Sequence, residues 1–245
     1  SSGDVSKPLS GEDMSDYDNL VFEPGQGILI SNGLIEKISP EEEFLEEFAP
    51  DTENNRSSHV EIMNIEGRAI IPGLVDCHTH LLWSGDRSNE IRMRQNGLSY
   101  QEISEQGGGI AKTVEFTRKS SQDDLERIGR KNLSKSSTYG TTTLEAKSGY
   151  GLSVDSEIKL LEVTNLLHGE NQNVMPTWLG AHDFPKDKTH SEYMDELIHE
   201  QLPLIAENKL SNWIDVFCEP GWFNLEQTES VSYTHLRAHE TDSYL

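Results

Sequence analysis

The stretch Pro72-Gly73-Leu74-Val75-Asp76-Cys77-His78-Thr79-His80 limits the possible fold more than any other. The apolar run Ala69-Ile70-Ile71 leads into it through Pro72-Gly73, and a polar loop follows. Successive side chains of a strand point to opposite faces, so His78 and His80 share one. On a strand lining a closed parallel barrel, both imidazoles would point into the barrel mouth. Two neutral imidazoles on one rigid element make half of a divalent metal site. The competing reading is a coincidental His-x-His on a polar strand face. The apolar lead-in, the Pro-Gly and Asp76 weigh against it.

After His80 the pattern becomes α/β. Thr141–Ala146, Val174–Leu179 and Trp213–Cys218 read as strands. Between them Asp123–Tyr139, Val154–His168 and Ser191–Asn208 carry apolar residues near helical spacing, with Ser153 a candidate N-cap and Pro203 a kink. Strands alternating with helices predict a parallel sheet. The fold class expected from this alternation is α/β; the family likeness given below implies a partial TIM-like (β/α) barrel preceded by part of a small β-sandwich. The long insertion from Leu81 to Ser121 would sit over the strand C-termini, where barrel active sites are built.

Four segments follow from this. Residues 1–19, rich in Ser, Asp and Gly, read as a disordered tail. Residues 20–68 hold two short β-rich runs around Asn32-Gly33, which suits a two-residue hairpin turn, and a further strand over Val60–Ile65. Between them, residues 41–58 read as a loop or short helix. Residues 69–230 read as the first half of a barrel. Residues 231–245 lack the apolar periodicity of a further barrel helix. His235 and His239 would share a helix face there, but no strand presents them to a pocket.

Net charge is −23 over 245 residues, and residues 1–66 hold 16 acidic against 3 basic side chains. Such a surface argues against nucleic-acid binding and would not draw in an anion, so an anionic ligand needs a local cation. No apolar run reaches membrane-spanning length, and no signal peptide opens the sequence. Cys77 and Cys218, both in apolar strand-like stretches, read as reduced, buried thiols of a cytoplasmic protein. Two features suggest a fragment. The first residue is not Met, and Ala69 to Ser230 span 162 residues where an eight-unit barrel needs roughly 250.

The nonapeptide resembles the metal-binding first strand of the amidohydrolase superfamily. Gly85-Asp86-Arg87-Ser88, Gly107-Gly108-Gly109-Ile110, Lys147–Leu152, Leu179-Gly180-Ala181-His182 and Asp215–Glu219 narrow the likeness to the imidazolonepropionases, from about Gly27 to about Ser230. The tail over 231–245 departs from that family and resembles a translated adapter more than a gene product. The resemblance assigns the early strands to the amidohydrolase β-sandwich. It implies a metal-dependent hydrolase of histidine degradation that opens the ring of 4-imidazolone-5-propanoate to N-formimino-L-glutamate. His78 and His80 would ligate one zinc or iron ion, with a third His and an Asp supplied by later strands that this sequence does not contain.

The resemblance also has Arg87 grip the propionate through a planar two-point contact, which guanidinium geometry suits. The alternative is a surface arginine paired with Asp86 or Glu90. Arg92 and Arg94 read as structural. Tyr150 would meet substrate, or else pack on the barrel rim. His182 would bond the imidazolone ring or its developing oxyanion, or else be a hydrogen-bonded rim histidine. Glu145 and Glu219 lie near strand ends without an assigned role. Gly107-Gly108-Gly109 lacks the Lys-Ser/Thr of a phosphate loop and reads as a flexible turn covering substrate. The expected partner is a small anionic substrate, with no nucleic acid and no membrane, and a homodimer is left open. The alternatives are another amidohydrolase, such as a deaminase or cyclic amidase, or a catalytically inactive fragment.

Overall fold

The computed structural model describes residues 10–48, 60–99, 102–103, 106–169 and 172–240. The chain divides into two compact units, residues 1–70 and 71–245.

In the first unit, strands β1 (Gln26–Ser31) and β2 (Leu34–Pro40) form an antiparallel hairpin. Asn32 and Gly33 both take positive φ, 50° and 78°, as the tight turn matching strand twist requires. The expected turn is thus observed. The acidic run forms helix α2 (Glu41–Phe48), while residues 49–59 lie outside the described ones. Two expectations are corrected. Val60–Ile65 forms no strand, because its β-rich pattern finds no neighbour to complete a ladder, and Ile62 and Met63 stay exposed. Within the segment read as a disordered tail, residues 11–15 form a 3-10 turn and Tyr17–Leu20 forms α1; residues 1–9 lie outside the described ones.

The second unit is a curled, four-stranded parallel sheet in the order β3-β4-β5-β6: Leu74–Thr79, Thr141–Lys147, Asn173–Ala181 and Trp213–Val216. Helices follow the strands in alternation, as expected of half a barrel. The insertion after β3 carries α3 (Asn89–Gln95) and α4 (Gly109–Lys119). Next come α5 (Gln122–Ser137), capped by the Ser121 hydroxyl, and α6 (Val154–Leu166). Ser153 takes the N-cap position of α6, but its side chain makes no cap bond; the Val154 N–H donates to Glu196 instead. A further helix runs α7 (His190–Glu196), a π turn (Leu197–Gln201) and α8 (Leu202–Glu207). The π turn precedes Pro203, whose ring and missing N–H disturb the regular ladder there.

Two cores result. One packs α6, β5, α7 and α8 around Trp178, Tyr193 and Phe223; the other packs α5 and α6 on β4 through Leu125, Leu144 and Leu160. Residues 231–240, which lack the apolar periodicity of a barrel helix, nonetheless continue a helix, α9, that runs Leu225–Glu240. Asn224 and Gln227 cap it reciprocally, each side chain accepting the other's backbone N–H at 2.9 Å. Val231 is fully buried. The cap and the packing of its first half against the preceding helix hold the start of α9. The cysteines likewise differ from expectation. Both are free, but Cys77 is exposed and Cys218 half-buried, because strands β3 and β6 have a single neighbour each among the described residues.

Candidate active site

Four of the residues singled out from sequence meet at the C-terminal ends of the strands. His78 and His80 leave β3 with ring centres 6.1 Å apart. A nitrogen-bound ion sits about 3 Å from an imidazole centre, so one ion can span that separation. The His80 ring lies 4.6 Å from Tyr150 and 4.8 Å from His182, and Tyr150 and His182 are 5.2 Å apart. Phe217 meets the edge of His182 at 5.9 Å.

Burial, and after it the neighbouring His182, pushes His80 down to about 3. The ring is therefore neutral, the form that ligates metal. His80 Nδ1 is buried without a hydrogen-bond partner, which fits an atom that has a ligand to accept. His78 is exposed. Among the described residues no group of three His, Cys, Asp or Glu converges on a common point. The two histidines thus fit half a metal centre.

His182 Nδ1 lies 2.8 Å from the Gly149 carbonyl. A carbonyl only accepts, so Nδ1 carries the proton and Nε2 of the neutral ring is an acceptor. Gly149 belongs to the turn after β4 and takes φ +97°. A Cβ there would come within 2.7 Å of Leu179 O and 3.0 Å of His182, so only glycine allows this approach. The next residue is Tyr150.

Tyr150 also faces a pocket of about 330 Å³, shared with Trp83, Arg87, Glu90, Ile91, Arg94 and Thr113. The insertion after β3 therefore lies at the strand C-termini, as its position in the sequence implied. Arg87 reaches Glu90 through two bonds, Nε to Oε1 at 2.9 Å and a terminal nitrogen to Oε2 at 2.8 Å. Of the two readings of Arg87, the pair with Glu90 is present, and the same side chain lines the pocket. Glu90 Oε1 also accepts the Gly109 N–H at 2.8 Å. The glycine turn expected to be flexible is thus tied down at its last residue.

Sequence reasoning left Arg94 as structural, yet it lines the pocket beside Arg87. The signal was available: Glu90 and Arg94 are four apart on α3 and share a face. Glu145 lies beneath the site, where its carboxylate accepts from Thr177 at 2.8 Å and from the buried Lys147 at 2.9 Å. Asp215 meets Lys147 from β6 at the same distance. Burial opposes the lysine's charge, but Asp215 and Glu145 more than offset it and raise its pKa. These groups form an ion network around the buried Lys147, with Asp215 at its exposed end. Glu219 is exposed and joins none of these contacts. His235 and His239 have no described side-chain placement.

Among the described residues no helix is long and apolar enough to cross a membrane. No family model matches the chain. The imidazolonepropionase of Geobacillus kaustophilus (strain HTA426) is 38% identical over 232 residues, covering 94% of this chain and 53% of the relative. That of Clostridium tetani (strain Massachusetts / E88) is 34% identical over 226 residues, covering 91% and 52%. That of Alkaliphilus oremlandii (strain OhILAs) is 42% identical over 173 residues, covering 69% and 41%. The chain spans about half the length of the curated relatives it matches. Together with the half-barrel and its clustered site, these matches show that the chain belongs to the imidazolonepropionase family.

Proposed function

We propose that this chain forms the substrate-gripping half of a metal-dependent hydrolase acting on 4-imidazolone-5-propanoate. One observation carries the reading: the rings of His80, Tyr150 and His182 lie within about 5 Å of one another, and Tyr150 joins that cluster to a pocket lined by two arginines. The pocket supplies the local cation that the chain's overall acidity demands of any anion site.

His78 and His80 would hold a zinc or iron ion from β3, with the remaining ligands coming from outside the described residues. Such an ion, when bound, lowers the pKa of its water toward neutrality and polarises a carbonyl. The chain's own residues do the rest. Arg87, held in place by Glu90, and Arg94 draw in the propionate and fix the ring's orientation. Tyr150 packs on the ring. His182, with its proton on Nδ1, offers Nε2 as acceptor to a ring N–H; once protonated it can donate to the oxygen on which charge develops. Water's oxygen joins the ring carbonyl carbon, the ring C–N bond breaks, and the freed nitrogen takes the proton. The product is N-formimino-L-glutamate. Two free thiols suit a reducing, cytoplasmic setting.

The test is turnover of 4-imidazolone-5-propanoate by the full-length, metal-loaded protein, with dihydro-ring amides and aminopurines as competing substrates. Turnover of those instead would favour another amidohydrolase activity. Arg87→Ala is expected to raise KM about 10- to 100-fold, the value of a charged hydrogen-bonded contact. An unchanged KM removes the propionate role.

A further inference from the structure

The turn that carries Tyr150 hangs from one buried carboxylate. Glu157, in the first turn of α6, is fully buried. Its Oε2 accepts the Gly149 N–H at 2.9 Å, and its Oε1 accepts the N–H groups of Gly151 and Leu152 at 2.7 and 2.8 Å. Among the described residues no basic side chain forms an ion pair with it. From the other side Arg118 of α4 donates to the carbonyls of Gly151 and Leu152, each at 2.6 Å. Helix packing alone would favour an apolar side chain at position 157, since burying a carboxylate is costly unless it is hydrogen-bonded. Here the turn supplies three inward-facing donors, and the carboxylate satisfies all of them.

The consequence reaches the chemistry through two residues. Gly149 is held by its N–H, and its carbonyl accepts from His182 Nδ1. Tyr150 sits between two held neighbours, which fixes where its ring meets His80 and His182. We propose that Glu157 is a positioning residue that sets both the place of the Tyr150 ring and the tautomer of His182. Its bearing on turnover rests on the hydrolase reading above; its bearing on geometry does not.

The experiment compares Glu157→Gln with Glu162→Gln, which makes the same charge change on the exposed side of the same helix. Glutamine keeps the size but offers one acceptor oxygen, and its amide NH2 faces a backbone N–H. In Glu157→Gln, nitrogen-15 NMR of the full chain should show His182 leaving the pure Nδ1–H form. Amide exchange at Gly149 should quicken at least 10-fold, and kcat/KM of the full-length, metal-loaded protein should fall about 100-fold. Glu162→Gln should change none of these. A Glu157→Gln protein in which His182 stays on Nδ1 and Gly149 exchanges as before overturns the proposal.

If Glu157→Gln fails to fold, Arg118→Met gives a second test. It frees the Gly151 and Leu152 carbonyls but leaves the Gly149 bond to Glu157 intact. His182 should keep its tautomer while the Tyr150 signals move; loss of the tautomer there overturns the proposal. A full-length, metal-loaded protein that shows the Nδ1–H form but turns over no 4-imidazolone-5-propanoate defeats the hydrolase reading and leaves the positioning claim standing.

Discussion

Strand β5 carries Val174, Trp178, Leu179 and Ala181 into the core, none more than 3% exposed, whereas β3 leaves Leu74 and Val75 51% and 68% exposed. Both strands end at the same site. β5 has neighbours on both edges, and its ladder to β4 is unbroken from Asn173 to Thr177. β3 has one described neighbour, and its register to β4 breaks twice. Among the described residues, the strand that presents His182 is therefore the better packed, and the strand that presents His78 and His80 the less packed. On the proposed function, the residues that would meet substrate stand on the better-packed strand, and those that would hold the metal on the strand with an open edge among the described residues.

The largest effect should come from breaking the better-packed strand. Trp178 is fully buried, and its ring N–H donates to Gln201 at 3.0 Å. Trp178→Ala removes that volume and strands a buried amide, so denaturant unfolding should show a loss of about 3–5 kcal/mol. Leu74→Ala on β3 should stay within about 0.5 kcal/mol, as an exposed side chain does. Equal losses would mean that β3 is packed as firmly as β5.

Gly149→Ala sharpens the contrast at the site itself. A side chain at φ +97° that also meets Leu179 O and His182 should cost about 1–3 kcal/mol in thermal or denaturant unfolding. It should also move the His182 ring, raising KM for the imidazolone in the full-length, metal-loaded protein. An alanine variant with unchanged stability would show that this turn is not held where the Glu157 bonds place it.

How much of this was legible follows the same divide. The parallel sheet could be read because strand-like runs alternate with stretches of helical spacing, and the hairpin because Asn32-Gly33 tolerates left-handed backbone. Val60–Ile65 has the same local pattern as a strand, but pairing depends on a neighbour that the pattern does not reveal. Helix α9 was missed because its cap at Asn224 and the burial of Val231 against its neighbours are tertiary features that an aperiodic sequence does not show. At the site, His78, His80, Tyr150 and His182 stand at strand ends and could be found by position. Glu157 could not, because its function is to satisfy three backbone donors, and which donors turn inward is decided by tertiary structure. Arg94 was within reach, being one helical turn from Glu90.

The smallest expected effect lies on the β3 side, in the Arg87–Glu90 pair. The bond from Arg87, helped by the Gly109 N–H, holds the Glu90 carboxyl below the ordinary carboxylate range against the cost of burial. A carboxylate depressed in the folded state binds its proton more weakly there than in the unfolded chain. Its contribution is therefore complete above the unfolded pKa, near 4.3, and is lost as pH falls through the lower folded value. Glu90→Gln should flatten the acid limb of the stability curve below about pH 4 by about 1 kcal/mol and leave neutral pH less affected than Trp178→Ala does. An acid limb identical in the two proteins would mean that Glu90 does not fix Arg87, and that the pocket's guanidinium is held no more firmly than the less packed strand before it.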